Sequence, residues 1–62
     1  MRYSIIEVNR KDVSEQHTHS HSSNIDDAWR VALSNEKLYT DFTFHVQCGS
    51  TLIPKPSYIS ET

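Results

Sequence analysis

The stretch NIDDAWRVALSN, residues 24–35, decides the fold because it carries the helical pattern of this chain. Its apolar residues recur at the spacing i, i+3, i+4, i+7 and i+8, so they share one side of a helix: Ile25, Ala28, Trp29, Ala32 and Leu33. We therefore predict an amphipathic helix over residues 25–35. Trp29 is its largest apolar side chain and is expected to anchor the core.

Both ends of this helix have recognisable signals. Ser23 or Asn24 can cap the first turn by accepting a hydrogen bond from a backbone amide. Asp26 and Asp27 follow in the first turn, where the positive end of the helix dipole favours negative charge. Asn35 can adopt the left-handed conformation that ends a helix, so we expect the helix to stop there.

Strands are predicted on both sides of the helix. Residues 42–48, FTFHVQC, alternate apolar and polar side chains, which indicates a strand with one buried face. Gly49 and Ser50 then form a turn candidate, and residues 51–53 can add a short antiparallel strand. Residues 2–9 are rich in aromatic and β-branched side chains on both faces, so this strand is predicted to be central or covered.

The polar stretch between the first strand and the helix allows two interpretations. Residues 9–12 are predicted to turn, because Asn and Asp side chains hydrogen-bond their own backbone. Residues 13–23, VSEQHTHSHSS, then form either an antiparallel edge strand or a mobile loop. We favour the strand, because Thr and His at alternate positions permit one, but nothing apolar fixes its register.

These elements predict an α+β fold of β-β-α-β-β order, in which one helix packs on a small antiparallel sheet of three to four strands. Residues 1–53 make a single domain, and residues 54–62 form an extended tail because Pro54 and Pro56 prevent further strand pairing. The predicted core lies between helix and sheet and consists of Ile6, Val8, Ile25, Ala28, Trp29, Ala32, Leu33, Phe42, Phe44 and Val46.

Composition restricts the class of function. A 62-residue chain with 35% apolar residues can form one small core of marginal stability, which leaves little room for a separate catalytic pocket. Cys48 is the single cysteine, so an internal disulfide is excluded, and we expect a cytoplasmic protein with no signal peptide and no membrane contact. The net charge is −2 and the basic residues are scattered, so nucleic-acid binding is not expected.

Histidines are the most unusual feature of the sequence. His17, His19 and His21 alternate along the predicted edge strand, which would place three imidazoles on one face, with His45 on a neighbouring strand. Imidazole is a common ligand of zinc and other transition metals, so these four residues are a candidate metal site. The alternative interpretation is a solvated polar edge strand that discourages aggregation.

Catalysis has little support in the sequence. Cys48 and His45 would lie on opposite faces of one strand, so they cannot act together as nucleophile and base. The adjacent carboxylates Asp26 and Asp27 suit the helix dipole rather than acid–base chemistry. We therefore predict that the protein is not an enzyme.

Apolar side chains outside the predicted core are candidates for contact with a partner. They lie on the outer side of the helix, just after it, and in the tail: Val31, Leu38, Tyr39, Tyr58 and Ile59. Together they could form a partner-binding patch, since exposed apolar groups that cluster mark interaction sites. A homodimer joined through the edge strand is also possible.

In outline, the segments YSIIEV (residues 3–8), NIDDA (24–28) and FTFHV (42–46) resemble small bacteriophage-encoded proteins that place one helix on a small sheet. That group includes a short inhibitor of host RNA polymerase and some anti-CRISPR proteins. The resemblance rests on architecture and length, and the polar second strand departs from it, so no functional residue is carried over. It implies a viral protein that binds and inhibits a host protein or protein complex in the host cytoplasm.

Two hypotheses of different class follow. The first is a small non-enzymatic protein that binds, and inhibits, another macromolecule. The second is a small metal-binding protein that uses the histidine-rich edge strand to hold zinc or another transition metal.

Overall fold

The computed structural model describes residues 2–59 of the chain. The elements are β1 (Tyr3–Asn9), β2 (Gln16–Ser22), α1 (Ile25–Leu38), β3 (Phe42–Cys48) and β4 (Thr51–Ile53). The strands form one antiparallel sheet in the order β2-β1-β3-β4, and α1 packs mainly across β3 and β1. This confirms the α+β class and the central position of β1. It also identifies the histidine-rich stretch as a strand rather than a loop.

Helix α1 begins at its predicted cap but ends later than predicted. The Asn24 side-chain oxygen accepts hydrogen bonds from two first-turn backbone amides, at 2.8 and 3.2 Å. Asn35 does not end the helix, which continues to Leu38, and the Tyr39 amide donates to the Asn35 carbonyl oxygen at 2.8 Å. The prediction was wrong there because the residues that follow, Glu36, Lys37 and Leu38, are good helix formers.

The core lies between α1 and one face of the sheet. Its buried side chains are Ile5, Ala28, Trp29, Ala32, Phe44, Val46 and Ile59. Half-buried apolar side chains pack around them: Tyr3, Ile25, Leu33, Phe42 and Ile53. The burial of Trp29 confirms it as the anchor of the helix.

Strand β1 contributes to the core through the opposite face from the predicted one. Ile5 is fully buried and pairs with Val46 of β3, whereas Ile6 and Val8 lie on the other face and are only half-buried. Alternation within β1 could not show which of its two apolar faces is buried. Pairing with β3 identifies the buried face, because directly opposed residues of antiparallel strands share a face. The assignment of Ile6 and Val8 to the core is therefore wrong.

Residues 54–59 fold back onto the domain. The Ile59 amide donates to the Pro56 carbonyl oxygen at 3.1 Å, which closes a turn, and the Ile59 side chain is 3% exposed within the core. The expectation that Ile59 is exposed is therefore wrong, because this turn returns the chain to the helix. Met1 and residues 60–62 of the predicted tail lie outside the described residues. Within the described part of the chain, no helix has the length and apolar character needed to cross a membrane.

Candidate functional site: an open sheet face

The sheet face opposite α1, here called the open face, is the candidate functional site. Pairing of the strands fixes which side chains belong to it, since directly opposed residues share a face. These are Ser4, Ile6 and Val8 of β1, Gln16, Thr18 and His21 of β2, Thr43, His45 and Gln47 of β3, and Leu52 of β4. No Asp, Glu, Lys or Arg is among these paired residues, and two basic side chains lie at the margin of the face, Arg2 beside His21 and Lys55 beside His45 and Leu52.

A concavity of about 200 Å³ lies on the open face. Its lining combines apolar and uncharged polar side chains: Ile6, Val8, Gln16, His45, Gln47 and Leu52. Leu52 is the most prominent of these, with 67% of its surface exposed. Sites for small organic ligands usually measure about 300–1,000 Å³, so this concavity is better sized for one protruding side chain.

Two of the polar residues that line the concavity are held by the chain itself. The Gln16 side-chain amide donates to the Val13 carbonyl oxygen at 2.9 Å. His45 Nε2 lies 3.3 Å from Thr43 Oγ1, within hydrogen-bond distance. The half-buried Gln47 side chain has no hydrogen-bond partner among residues 2–59.

Charge is concentrated away from the open face. Helix α1 has Asp26 and Asp27 in its first turn and Lys37 in its last. The Arg10 side chain reaches the C-terminal end of α1, where its guanidinium lies 3.6 Å from the Glu36 carboxylate. Its Nε donates a hydrogen bond to the Thr40 carbonyl oxygen at 2.8 Å. The helix side therefore has the character of a solvated surface, in contrast to the centre of the open face, which carries no charged side chain.

A β-bulge in β2 changes the predicted arrangement of the histidines. Ile5 pairs with Ser20 and Ile6 with Thr18, which leaves His19 as the extra residue of β2. A bulge places two residues opposite one and so breaks the alternation of faces. The His19 ring packs edge-on against Phe44, with ring centroids 5.6 Å apart, which places His19 on the helix side of the sheet.

The four predicted metal ligands are consequently divided between the two faces. His17 pairs with Glu7 and shares the helix side with His19. His21 and His45 lie on the open face. The expectation that three imidazoles project together is wrong, because the bulge reverses the facing of His21. Among residues 2–59 no three His, Cys, Asp or Glu side chains come close enough to hold a metal ion.

The predicted partner-binding residues do not form one patch. Val31 and Leu38 are exposed on α1, at 40% and 73%, and Tyr39 follows the helix at 49%. Tyr58 lies at the other end of α1, a helix of 14 residues and therefore about 21 Å long. Ile59 is buried. Of the five residues, Leu38 and Tyr39 therefore lie at the C-terminal end of α1, Val31 in its middle and Tyr58 near its start.

The Tyr58 hydroxyl donates a hydrogen bond to Asp26 at the start of α1. This hydrogen bond raises the pKa of Tyr58 above its usual value, with smaller contributions from partial desolvation and from the negative charge of Asp26. The positive charge of Arg30 acts in the opposite direction and is the weaker influence. Tyr58 is therefore engaged within the chain, although 67% of its surface is exposed.

The apolar residues of the open face, Ile6, Val8 and Leu52, were missed by sequence reasoning because Ile6 and Val8 were assigned to the core. One signal could have found them. Strand β1 has apolar side chains on both faces, and the chain contains a single predicted helix, which can cover only one face of a sheet.

No protein-family model, no curated protein and no solved structure matches this chain. The candidate site therefore rests on the geometry and chemistry of the chain itself.

Proposed function

We propose that this chain is a small non-enzymatic binding protein whose open face docks on another protein. The observation that carries the proposal is that β1 has apolar side chains on both faces and only one of these faces is covered. Its Ile5 face is covered by α1, whereas its Ile6 and Val8 face has no helix over it within residues 2–59. Apolar side chains that a small domain leaves grouped on one surface mark an interaction site.

The composition of the open face favours a protein partner. The centre of a protein interface is depleted of charged residues, and its apolar groups are surrounded by polar ones. The open face has this character, with Ile6, Val8 and Leu52 among uncharged Gln, Thr, Ser and His side chains. Nucleic acids are disfavoured, because phosphate binding needs grouped Lys or Arg, and only Arg2, beside His21, and Lys55, beside His45 and Leu52, lie at the margin of this face.

The size of the open face favours a separate, non-obligate partner over a permanent homodimer. Four strands about 4.8 Å apart and up to seven residues long give a footprint of roughly 19 by 23 Å. Obligate homodimers bury about 1,000 Å² or more on each copy, whereas transient complexes bury less than about 600 Å² on each partner, so a face of this extent suits a transient complex. Pairing through the β2 edge is disfavoured, because bulges such as that at His19 commonly blunt edge strands.

Inhibition is the mode of action that suits such a protein. A small rigid face that covers a functional surface blocks access to it without any chemistry of its own. The resemblance to bacteriophage proteins extends the proposal to a host protein or protein complex as the target. The compactness of the fold suits this role, because a preformed surface loses little conformational entropy on binding.

A matched pair of charge substitutions tests the proposal. Leu52→Asp changes an exposed leucine on the open face, and Leu38→Asp changes an equally exposed leucine at the end of α1. The wild-type protein and both variants are immobilised, and proteins captured from a lysate of the source cell and of a candidate host are quantified. We expect Leu52→Asp to weaken stoichiometric capture of one protein at least tenfold, and Leu38→Asp to leave it unchanged.

The captured protein is then purified and its affinity for each variant is measured by calorimetry. Loss of binding in Leu38→Asp with retention in Leu52→Asp would assign the interface to the helix end and overturn the proposal. Sedimentation equilibrium of the free protein provides the remaining control. A stable dimer that Leu52→Asp dissociates would show that the open face binds a second copy instead.

A further inference from the structure

We infer that a small carboxylic acid with an apolar body binds in the cavity at the end of the β3–β4 pairing. Its carboxylate accepts hydrogen bonds from the Lys55 ammonium and the Trp29 indole N–H, and its apolar body packs against the walls. This binding is a second property of the chain, because it needs no partner protein and does not depend on the proposed function.

The cavity forms because the sheet ends at Pro54. Val46 of β3 pairs with Ile53, the last residue of β4, and Pro54 has no backbone N–H with which to continue the ladder. The chain then leaves the sheet and returns to the core at Ile59. A gap remains between β3 and residues 54–55, and Trp29 of α1 forms part of its wall.

The size and lining of the cavity suit a small organic molecule. Its volume is about 290 Å³, close to the lower end of the roughly 300–1,000 Å³ of sites for such ligands. Polar groups come from Trp29, His45 and Lys55, and none of the described lining residues is acidic. Apolar side chains make up the rest of the lining: Val46, Leu52, Ile53 and Pro54.

The Lys55 ammonium favours an anionic ligand. Lys55 is half-buried, its Nζ donates to the Ile59 carbonyl oxygen at 2.8 Å, and it has no carboxylate partner among residues 2–59. An ammonium has three N–H donors, so two remain. Because a partly buried charge without a counter-charge is unfavourable, a carboxylate in the cavity gains a charge-assisted hydrogen bond.

The Trp29 indole is the second, independent observation. Trp29 is 8% exposed, and its Nε1 is buried without a hydrogen-bond partner among residues 2–59. Buried polar groups are nearly always hydrogen-bonded, so such an unpaired group needs an explanation. An indole N–H can only donate, so the missing partner is an acceptor, which a carboxylate oxygen is and an ammonium is not.

Binding requires a small movement of the chain, because the indole nitrogen is shielded from water. Of the described residues that line the cavity, Pro54 and Lys55 are the freest to move, because they follow the last pair of the ladder. The one backbone–backbone hydrogen bond of residues 54–59 lies within that segment, from the Ile59 amide to the Pro56 carbonyl oxygen. The segment can therefore shift without breaking the sheet.

Isocaproate, a branched aliphatic acid, serves as the probe in a heteronuclear NMR titration of the full chain at about pH 7, where both the acid and lysine are charged. We expect saturable binding with a Kd on the order of 1 mM. The resonance of the Trp29 indole N–H is expected to move downfield as it gains an acceptor, with further changes at Val46, Ile53 and Lys55.

Three further probes define what is recognised. Isocaproamide has the same shape without the charge and is expected to bind at least about fivefold more weakly. Acetate lacks the apolar body and is expected not to saturate. N-acetylleucine imitates the C-terminus of a peptide and is expected to bind more weakly than isocaproate, because its amide meets apolar walls.

Three variants assign the effect to the cavity. Lys55→Gln retains a donor for the Ile59 carbonyl oxygen but removes the charge, and is expected to abolish the preference for isocaproate over isocaproamide. Lys55→Arg retains the charge and is expected to retain the preference. Lys37→Gln removes an exposed lysine at the other end of α1, changes the net charge equally, and is the matched control expected to change nothing.

Equal affinity for isocaproate and isocaproamide, an unchanged Trp29 indole resonance, or absence of saturable binding would overturn the inference. An equal loss of binding in Lys37→Gln and Lys55→Gln would do the same, since it would show attraction by net charge alone. Tighter binding of N-acetylleucine than of isocaproate would assign the cavity to a peptide C-terminus instead of a free acid. Capture of a protein through Leu52 is measured separately, so the proposed function stands or fails independently.

Discussion

The Tyr58 hydroxyl donates a hydrogen bond to the Asp26 carboxylate, which joins the C-terminal segment to the first turn of α1. The two residues are 32 positions apart in the sequence. Next to this contact, Ile59 enters the core, and its carbonyl oxygen accepts a hydrogen bond from Lys55 Nζ at 2.8 Å. Residues 54–59 therefore cover the N-terminal part of the helix rather than extending from the domain.

We predict that Tyr58 ionises at a higher pH than an ordinary tyrosine, whose pKa is 10.0. The folded state holds the proton more tightly than the unfolded state, so the stabilisation by this contact is complete below about pH 10 and is lost as pH rises through the folded pKa. Subtracting the ultraviolet titration curve of Tyr58→Phe from that of the wild-type protein gives the pKa of Tyr58. Asp26→Asn should return it toward 10.0. A difference curve centred at the ordinary value in the wild-type protein would contradict the contact.

Ile59→Ala should lower the free energy of unfolding by about 2–5 kcal/mol, the usual cost of truncating a buried isoleucine. The physical reason is the cavity left between the helix and the sheet. Urea unfolding provides the measurement, and Leu52→Ala is the control, because removing an exposed side chain changes stability by about 0.5 kcal/mol or less. Similar small effects for both variants would show that Ile59 does not belong to the core.

Two adjacent substitutions in β1 test which of its faces is buried. Ile5 is fully buried, so Ile5→Ala should cost about 2–5 kcal/mol of unfolding free energy. Ile6 is half-buried on the open face, so Ile6→Ala should cost at least about 1 kcal/mol less, because less apolar surface is returned to water. If chemical denaturation gave the larger loss of unfolding free energy for Ile6→Ala, the face of β1 that carries Ile6 and Val8 would be the buried one, contrary to the structure.

Zinc and a chelator should leave the melting temperature of untagged protein unchanged. The histidines of β2 are divided between two faces, so one chain does not present His17, His19 and His21 to the same ion. A metal held only by the folded state at 100 times its Kd would add about 2.7 kcal/mol of stability, which calorimetry detects readily. A melting temperature that falls on chelation, and no longer does so in His19→Ala, would restore the metal hypothesis.

The parts of the fold that were predicted from sequence depend on local physics. The Asn24 cap, the acidic first turn and the apolar stripe of α1 are set by residues a few positions apart. The alternation of β3 is equally local, and its Phe44 and Val46 are buried as predicted. Such features can be predicted without knowing which helix or strand packs against them.

The parts that were not predicted depend on contacts between distant residues. The buried face of β1 is set by pairing of Ile5 with Val46, and neither strand alone contains that information. The bulge at His19 arises from the pairing of β2 with β1, and Ile59 is buried by a turn at Pro56. The candidate site was missed for the same reason, because the open face exists only once these pairings are known.

The burial of Trp29 gives the molecule an intrinsic optical probe. It is the single tryptophan of the chain, it is 8% exposed, and its indole N–H has no hydrogen-bond partner among residues 2–59. An indole shielded from water and from hydrogen-bond acceptors fluoresces at shorter wavelength than one in solvent. The emission maximum therefore shifts to longer wavelength when helix and sheet separate, so unfolding can be followed without a label at micromolar protein concentrations, where little material is needed.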